Sequence, residues 1–173
     1  MERILDCIRS GNWRQEYYYG VYEHKQTGLD GMIYPRSFIV IKHRSGVIVR
    51  FTKLHKYAGV YENQMFCPLA SDGKAKLHYI CMMLNYIIVD NYETFGIDHV
   101  FNVTKKSLNC FFADYAMQKK SDGGYRSRQS IEKCISAVTQ FFWKLKRQYC
   151  GYVTLSREEL YIEQEVRTQK GRL

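Results

Sequence analysis

The chain has 173 residues, a mass of 20.5 kDa and 46% hydrophobic residues, which is enough for one ordinary domain or two small ones with a buried core. Its formal net charge is +9 and its sequence pI is about 9.2, a balance that favours a polyanionic partner such as nucleic acid. No segment has the roughly 18 uninterrupted apolar residues that a membrane span needs, and the first residues lack the apolar run of a signal peptide, so we expect a cytoplasmic protein with no membrane partner.

The N-terminal part of the chain predicts a short helix followed by β-structure. A helix is expected over Glu2–Arg9, and the aromatic stretch Trp13–Tyr22 is compatible with either a strand or an ordered loop. Two β-branched runs, Phe38–Ile41 and Val47–Thr52, flank a four-residue connection that ends in Gly46. This arrangement predicts a hairpin in which the glycine takes a positive φ.

The middle of the chain changes from irregular to helical. Residues 53–73 are predicted to be a loop, because they contain the loop-forming residues Gly59, Pro68 and the sequence Ser71-Asp72-Gly73. Residues 74–92 then carry apolar side chains at the three-and-four spacing of an amphipathic helix, namely Leu77, Ile80, Cys81, Leu84, Ile87 and Ile88.

The third region predicts two helices around a basic turn. Thr104 is the expected N-cap of the first helix, and Ser127 or Ser130 that of the second. The apolar residues of the second helix fall on one face and are Ile131, Cys134, Ile135, Val138, Phe141, Phe142 and Leu145. The opposite stripe carries Lys133, Gln140, Lys144 and Arg147, donors that either water or phosphate oxygens would satisfy.

These helices resemble the N-terminal core-binding domain of tyrosine recombinases, also called phage integrases. In that family a helix with the pattern Thr-x-x-x-Leu-x-x-Phe is followed by a turn and a longer helix rich in Ile and Phe. The first pattern is matched by Thr104, Leu108 and Phe111. The second is matched by Ile131, Ile135, Ser136, Ala137, Val138, Phe141 and Phe142. The resemblance covers roughly residues 74–150 and implies a SAM-like helical bundle that clamps duplex DNA.

The catalytic signature of the family is absent from this sequence. Recombinases cut DNA with a tyrosine assisted by arginines and a His-x-x-Arg motif in a C-terminal domain, and none of the five histidines has an arginine three positions later. The resemblance therefore implies a DNA clamp without the cutting domain. We expect either a piece of a longer recombinase, in which residues 151–173 lead to the catalytic domain, or a natural short protein.

Basic residues are concentrated in the region of the resemblance. Residues 74–150 contain 12 Lys and Arg against 6 Asp and Glu, a net charge of +6, whereas residues 1–73 have a net +3 from 10 against 7. A charge run of this kind is often only a solvated loop, but its place between two helices favours phosphate binding. The candidate DNA-binding residues are Lys105, Lys106, Lys119, Lys120, Arg126, Arg128, Lys133, Lys144 and Arg147.

Other chemistry has little support in the sequence. The six cysteines have no CxxC pairs, so we expect reduced thiols rather than zinc ligands, and we expect no cofactor or metal. The cluster Tyr17–Tyr19 lacks the neighbouring cations and base that a tyrosine nucleophile needs. These residues are expected to pack or to form an interface.

The sequence therefore predicts an α+β protein with a β-hairpin-containing region at residues 1–73, a helical core-binding domain at 74–150 and a linker at 151–173. We expect it to be the non-catalytic part of a recombinase from a mobile element, with double-stranded DNA as partner and no small-molecule substrate. Self-association on the DNA is left open. The alternative is a protein-interaction or regulatory module that uses the aromatic-rich N-terminal region.

Overall fold

A computed structural model describes residues 13–49 and 73–160, and it confirms the α+β class. The strands are β1 (Tyr17–Thr27), β2 (Ile33–His43) and β3 (Ile48–Val49). The helices are α1 (Trp13–Glu16), α2 (Gly73–Leu84), α3 (Tyr92–Phe95), α4 (Lys105–Met117) and α5 (Arg128–Gln148). A π-helical segment covers Asn85–Asp90, and short 3-10 turns cover Val100–Asn102 and Glu158–Leu160.

The three strands form an antiparallel sheet in the order β1-β2-β3. The expected hairpin at Gly46 is present, with φ at 93°, and it joins β2 to the short strand β3. The larger hairpin is the one between β1 and β2, which pairs Tyr17 with His43 and Thr27 with Ile33. Trp13–Tyr22 is thus strand from Tyr17 onward, preceded by the single helical turn α1.

The turn between β1 and β2 is formed by local preferences of Asp30 and Gly31. Gly31 has a φ of 75°, the left-handed region that glycine adopts without steric cost. The side chain of Asp30 accepts a hydrogen bond from the backbone N–H of Met32 at 3.0 Å, which is the local bond that favours aspartate in turns.

Helix α2 packs against β1 and β2 and buries the apolar face that its spacing predicted. The helix expected over residues 74–92 is present as far as Asp90, but its α-helical hydrogen bonding ends at Leu84 and a π-helical segment follows. At that point the amide of Asn85 makes two bonds with the backbone of Tyr19, accepting from its N–H at 2.7 Å and donating to its carbonyl at 2.9 Å. Asn85 thereby satisfies backbone groups of β1 that no strand pairs.

Helices α4 and α5 are antiparallel. At one end the hydroxyl of Tyr115, late in α4, lies 3.1 Å from the hydroxyl of Ser130, early in α5. At the other end the rings of Phe101, just before α4, and Tyr149, just after α5, are tilted by 46° with their centroids 5.2 Å apart. Both expected N-caps are confirmed, since the side chains of Thr104 and Ser127 each accept a backbone hydrogen bond in the first turn of their helix.

The segment after α5 belongs in part to the helical core. Val153, Leu155 and Leu160 are buried, so residues 151–160, which we assigned to a linker, pack against the helices. The described residues divide into two compact units with the boundary between Asn85 and Tyr86, so α2 groups with the hairpin. Several predictions fall outside the described residues. They are the helix Glu2–Arg9, the end of the strand at 50–52, the loop up to residue 72 and the last part of the linker, residues 161–173.

Candidate nucleic-acid interface

Helix α5 has two sharply different faces. Its buried stripe contains the residues that the sequence placed there, with Phe142, Val138 and Cys134 fully inaccessible to solvent. On the opposite side, positions 133, 140, 144 and 147 are separated by seven, four and three residues, which places them on one outer stripe. The only acidic residue of the helix is Glu132. We call Lys133, Gln140, Lys144 and Arg147 the outer face of α5.

The three cations of the outer face have no partner in the part of the chain that the structure describes. Lys133 and Arg147 are exposed and Lys144 is half-buried. None of the three side chains forms an ion pair, a hydrogen bond or a ring contact with any residue of the described ranges 13–49 and 73–160. Because nothing in that part of the chain competes for them, their charge is available to an anion without loss of an internal contact.

Lys146 lies between two of these residues in the sequence but has a different role. Its ammonium donates to the backbone carbonyls of Cys150 at 3.3 Å and Val153 at 3.0 Å. A lysine in this position satisfies carbonyls near a helix C-terminus and complements the negative end of the helix dipole. Lys146 therefore stabilises the end of α5.

The basic turn between α4 and α5, residues 118–127, is an ordered miniature hairpin. Lys119 and Tyr125 form an isolated antiparallel bridge, and the N–H of Lys120 donates to the carbonyl of Gly124 at 2.8 Å. Gly123 takes the left-handed conformation, with φ at 81°. The turn therefore holds its side chains in defined positions.

Those positions give the cations around the turn partners of their own. The ammonium of Lys120 lies 3.3 Å from a carboxylate oxygen of Asp122, and Nε of Arg128 lies 3.0 Å from one of Glu132. The ammonium of Lys119 lies 5.9 Å from the ring centroid of Tyr125. All three side chains are exposed, so these pairs are weak and a phosphate could displace them.

Arg126 points back onto the helices. Its guanidinium carbon lies 4.0 Å from the ring centroid of Tyr115, and its Nη2 donates to Oε1 of Gln118 at 2.7 Å. Burial raises the pKa of the Cys134 thiol, and the positive charge of Arg126 partly opposes that rise. Arg126 thus covers the junction of α4 and α5 as a structural residue.

The predicted cations are divided between the two ends of the helix pair. Lys105 and Lys106 are exposed in the first turn of α4, at the end where Phe101 meets Tyr149. They therefore lie at the same end as Lys144 and Arg147. Lys119, Lys120 and Arg128 lie at the other end, by the junction of Tyr115 and Ser130.

The cysteines, possible metal ligands and possible membrane-spanning helices of the described residues also bear on function. Cys81, Cys110, Cys134 and Cys150 are free thiols, while Cys7 and Cys67 lie outside the described ranges. Within residues 13–49 and 73–160, no three side chains of His, Cys, Asp or Glu are grouped closely enough to hold a metal ion. In the same ranges no helix has the length and apolar character to cross a membrane.

Comparison with models of protein families, with curated proteins and with solved structures finds no match to this chain. The geometry of α4, the basic turn and α5 is therefore what bears on function.

Proposed function

We propose that this chain binds double-stranded DNA without cleaving it, as the non-catalytic portion of a site-specific tyrosine recombinase or integrase of a mobile element. The single observation that carries the proposal is the outer face of α5, where three cations with no partner among residues 13–49 and 73–160 share one side of a 21-residue helix. Lys105 and Lys106 add two exposed positive charges at one end of the same helix pair. The proposal places the protein in the cytoplasm, where its free thiols stay reduced.

Binding is expected to rest mainly on phosphate contacts. Lysine and arginine neutralise phosphates and release the counterions that surround DNA, so affinity falls steeply as salt is added. Such contacts set the position and orientation of a protein on the duplex. The partnered cations of the basic turn are assigned a smaller share, because each must first give up a contact with Asp122, Glu132 or Tyr125.

A protein-interaction module remains the second candidate, and one observation favours it. Four large apolar side chains are exposed at the end of the β1-β2 hairpin, namely Leu29, Met32, Ile33 and Tyr34. A contiguous exposed apolar patch often marks a surface that a partner covers. In that case the basic charge of the chain would be incidental.

The two candidates are separated by titrating the 173-residue protein into a fluorescent 30-base-pair duplex at several salt concentrations. Changing Lys133, Lys144 and Arg147 together to Glu removes three proposed phosphate contacts. The affinity at low salt should fall on the order of 100-fold, and the slope of log affinity against log salt should become shallower by about 3.

The matched control changes Lys119, Lys120 and Arg128 to Glu, which alters the net charge by the same amount. Its affinity should fall by less than about 10-fold, since these side chains already have partners. Equal losses in the two variants would overturn the assignment to α5. If the unaltered protein binds no duplex at low salt, the interaction module becomes the better explanation.

A further inference from the structure

Gln140 occupies a special place on the outer face of α5. It lies seven residues after Lys133 and seven before Arg147. Seven residues are two turns, so each cation lies about 10 Å along the helix axis from Gln140. An uncharged amide is thus centred between two cations that have no partner among the described residues.

The amide of Gln140 is partly ordered by a neighbour and is still able to bind. Its Nε2 donates to the hydroxyl of Ser136, one turn earlier, at 3.3 Å. Its Oε1 and the second hydrogen of Nε2 have no partner in the described part of the chain, and both residues are exposed. One acceptor and one donor therefore point outward from a side chain that its neighbour has already partly ordered.

This spacing suits a helix that lies in the major groove of B-form DNA. A helix is about as wide as that groove, which measures about 12 Å. Because the groove winds around the duplex and the helix is straight, the middle of the helix comes closest to the base edges. Its ends lie beside the phosphate backbone, where Lys133 and Arg147 stand.

We propose that Gln140 reads an adenine in the major groove, with Ser136 as its positioning residue, while Lys133 and Arg147 fix the helix on the flanking phosphates. This inference rests on the proposed DNA binding and adds base selectivity to it. The pairing follows from chemistry, since a glutamine amide can accept from N6 of adenine and donate to N7 at once. Duplex RNA is disfavoured, because its major groove is too deep and narrow for side chains to read.

The test is a selection of tight-binding sequences from a duplex DNA library with 20 random central base pairs, using the 173-residue protein. The unaltered protein should enrich a site with a fixed adenine, and replacing that base should cost about 5- to 100-fold in affinity. Gln140→Ala should lose selectivity at that position alone and keep the salt dependence of binding. Gln140→Glu should change the preference there from adenine to cytosine, whose N4 donates to a carboxylate.

Gln129→Ala is the matched control, because Gln129 is an exposed glutamine of the same helix outside the interval between the two cations. It should select the same site as the unaltered protein. Three results would overturn the reading of a base while leaving phosphate binding intact. They are a selection that enriches no sequence, a Gln140→Ala variant that selects the same site as the unaltered protein, and an A-form RNA duplex that competes equally well. Failure to bind any duplex at low salt would instead overturn the proposed function.

Discussion

The basic turn and the outer face of α5 have similar composition and different structures. Around the turn, Lys120 and Arg128 are paired with carboxylates and Arg126 is stacked on Tyr115. On the outer face, three cations have no partner in the described residues. The turn, residues 118–127, has three cations and one carboxylate, and α5 has five cations and one carboxylate, so their net charge per residue is nearly equal. Charge along the sequence therefore does not tell which cations are left without an internal partner.

The difference has a structural cause. A long helix with one buried stripe must direct the residues of its other stripe into solvent, where no protein group is near. A tight turn brings residues close together, so side chains of opposite charge find each other within a few positions. Asp122 lies two residues from Lys120 within the turn. The pair of Arg128 and Glu132 is a different case, because it joins two residues of α5 one helical turn apart.

The largest expected effect tests whether the two faces of α5 have separate roles. Phe142 is fully buried in the stripe opposite the outer face. Phe142→Ala should lower the free energy of unfolding by about 3–5 kcal/mol, through lost burial and the cavity left behind. Urea denaturation followed by circular dichroism measures this.

Lys133→Ala on the outer face is the control for Phe142→Ala, and it should change stability by less than about 0.5 kcal/mol. A loss above 1 kcal/mol in that variant would mean that the outer face contributes to folding. The contrast between a stabilising face and a binding face would then break down.

The next effect concerns Arg126, the one cation of the turn that faces the helices. Arg126→Ala removes its cation–π contact with Tyr115 and its hydrogen bond to Gln118. We expect a loss of about 1–3 kcal/mol in stability. Its DNA affinity, measured at a temperature where both proteins are folded, should change less than that of Arg147→Ala. The reverse pattern, with unchanged stability and weak DNA binding, would place Arg126 in the interface.

Much of this fold follows from local patterns, and the parts that do not follow have identifiable reasons. The buried stripe of α5, the caps at Thr104 and Ser127 and the positive φ at Gly46 are local preferences that the surrounding structure obeys. The β1-β2 hairpin turns at Asp30 and Gly31, a local signal that the periodicity of the flanking residues does not contain.

The candidate site was predictable to a similar extent. Periodicity placed Lys133, Lys144 and Arg147 on one stripe because a helix fixes the direction of each side chain. It gave no information on Arg126, since side-chain direction in an irregular turn depends on which helices flank it. The end of regular helix at Leu84 depends on a similar tertiary contact, the two bonds between Asn85 and the backbone of Tyr19.

A smaller effect is expected in alkaline solution, beneath the junction that Arg126 covers. Burial raises the pKa of the Cys134 thiol from its ordinary value of 9.0 to about 12. A thiol whose pKa is higher in the folded state contributes its full stability below pH 9 and loses it between pH 9 and 12. At pH 10 this loss is about 1.4 kcal/mol. Between pH 7.5 and pH 10, Cys134→Ala should therefore lose less stability than the unaltered protein does.

Cys150→Ala is the control for that measurement, because Cys150 is exposed. It should lose as much stability between the two pH values as the unaltered protein. Identical losses in all three proteins would show that the Cys134 thiol ionises as easily in the folded state as in the unfolded one.

The smallest effect sharpens the comparison between turn and helix, and it concerns the pair formed by Arg128 and Glu132. The pair is exposed, so it contributes at most about 0.5 kcal/mol, and Arg128 stands in the first helical turn, where the helix dipole disfavours a cation. Arg128→Ala should therefore leave stability nearly unchanged. Glu132→Gln is more informative, because it frees Arg128 without removing it. If partners are what withhold these cations from DNA, this variant should bind a duplex about twofold more tightly than its change of charge alone explains.

The change from Glu132 to Gln also raises the net charge by one, which alone strengthens binding to DNA. Glu158→Gln makes the same change at an exposed carboxylate for which the described residues include no ion pair, and it corrects for that effect. The quantity to compare is the gain in affinity of Glu132→Gln over Glu158→Gln at low salt. A clear excess would mean that internal pairing limits the contribution of the turn. Equal gains would mean that the exposed pair opens without cost. Another difference, such as the straight line of cations along α5, would then have to account for the proposed preference of DNA for the helix.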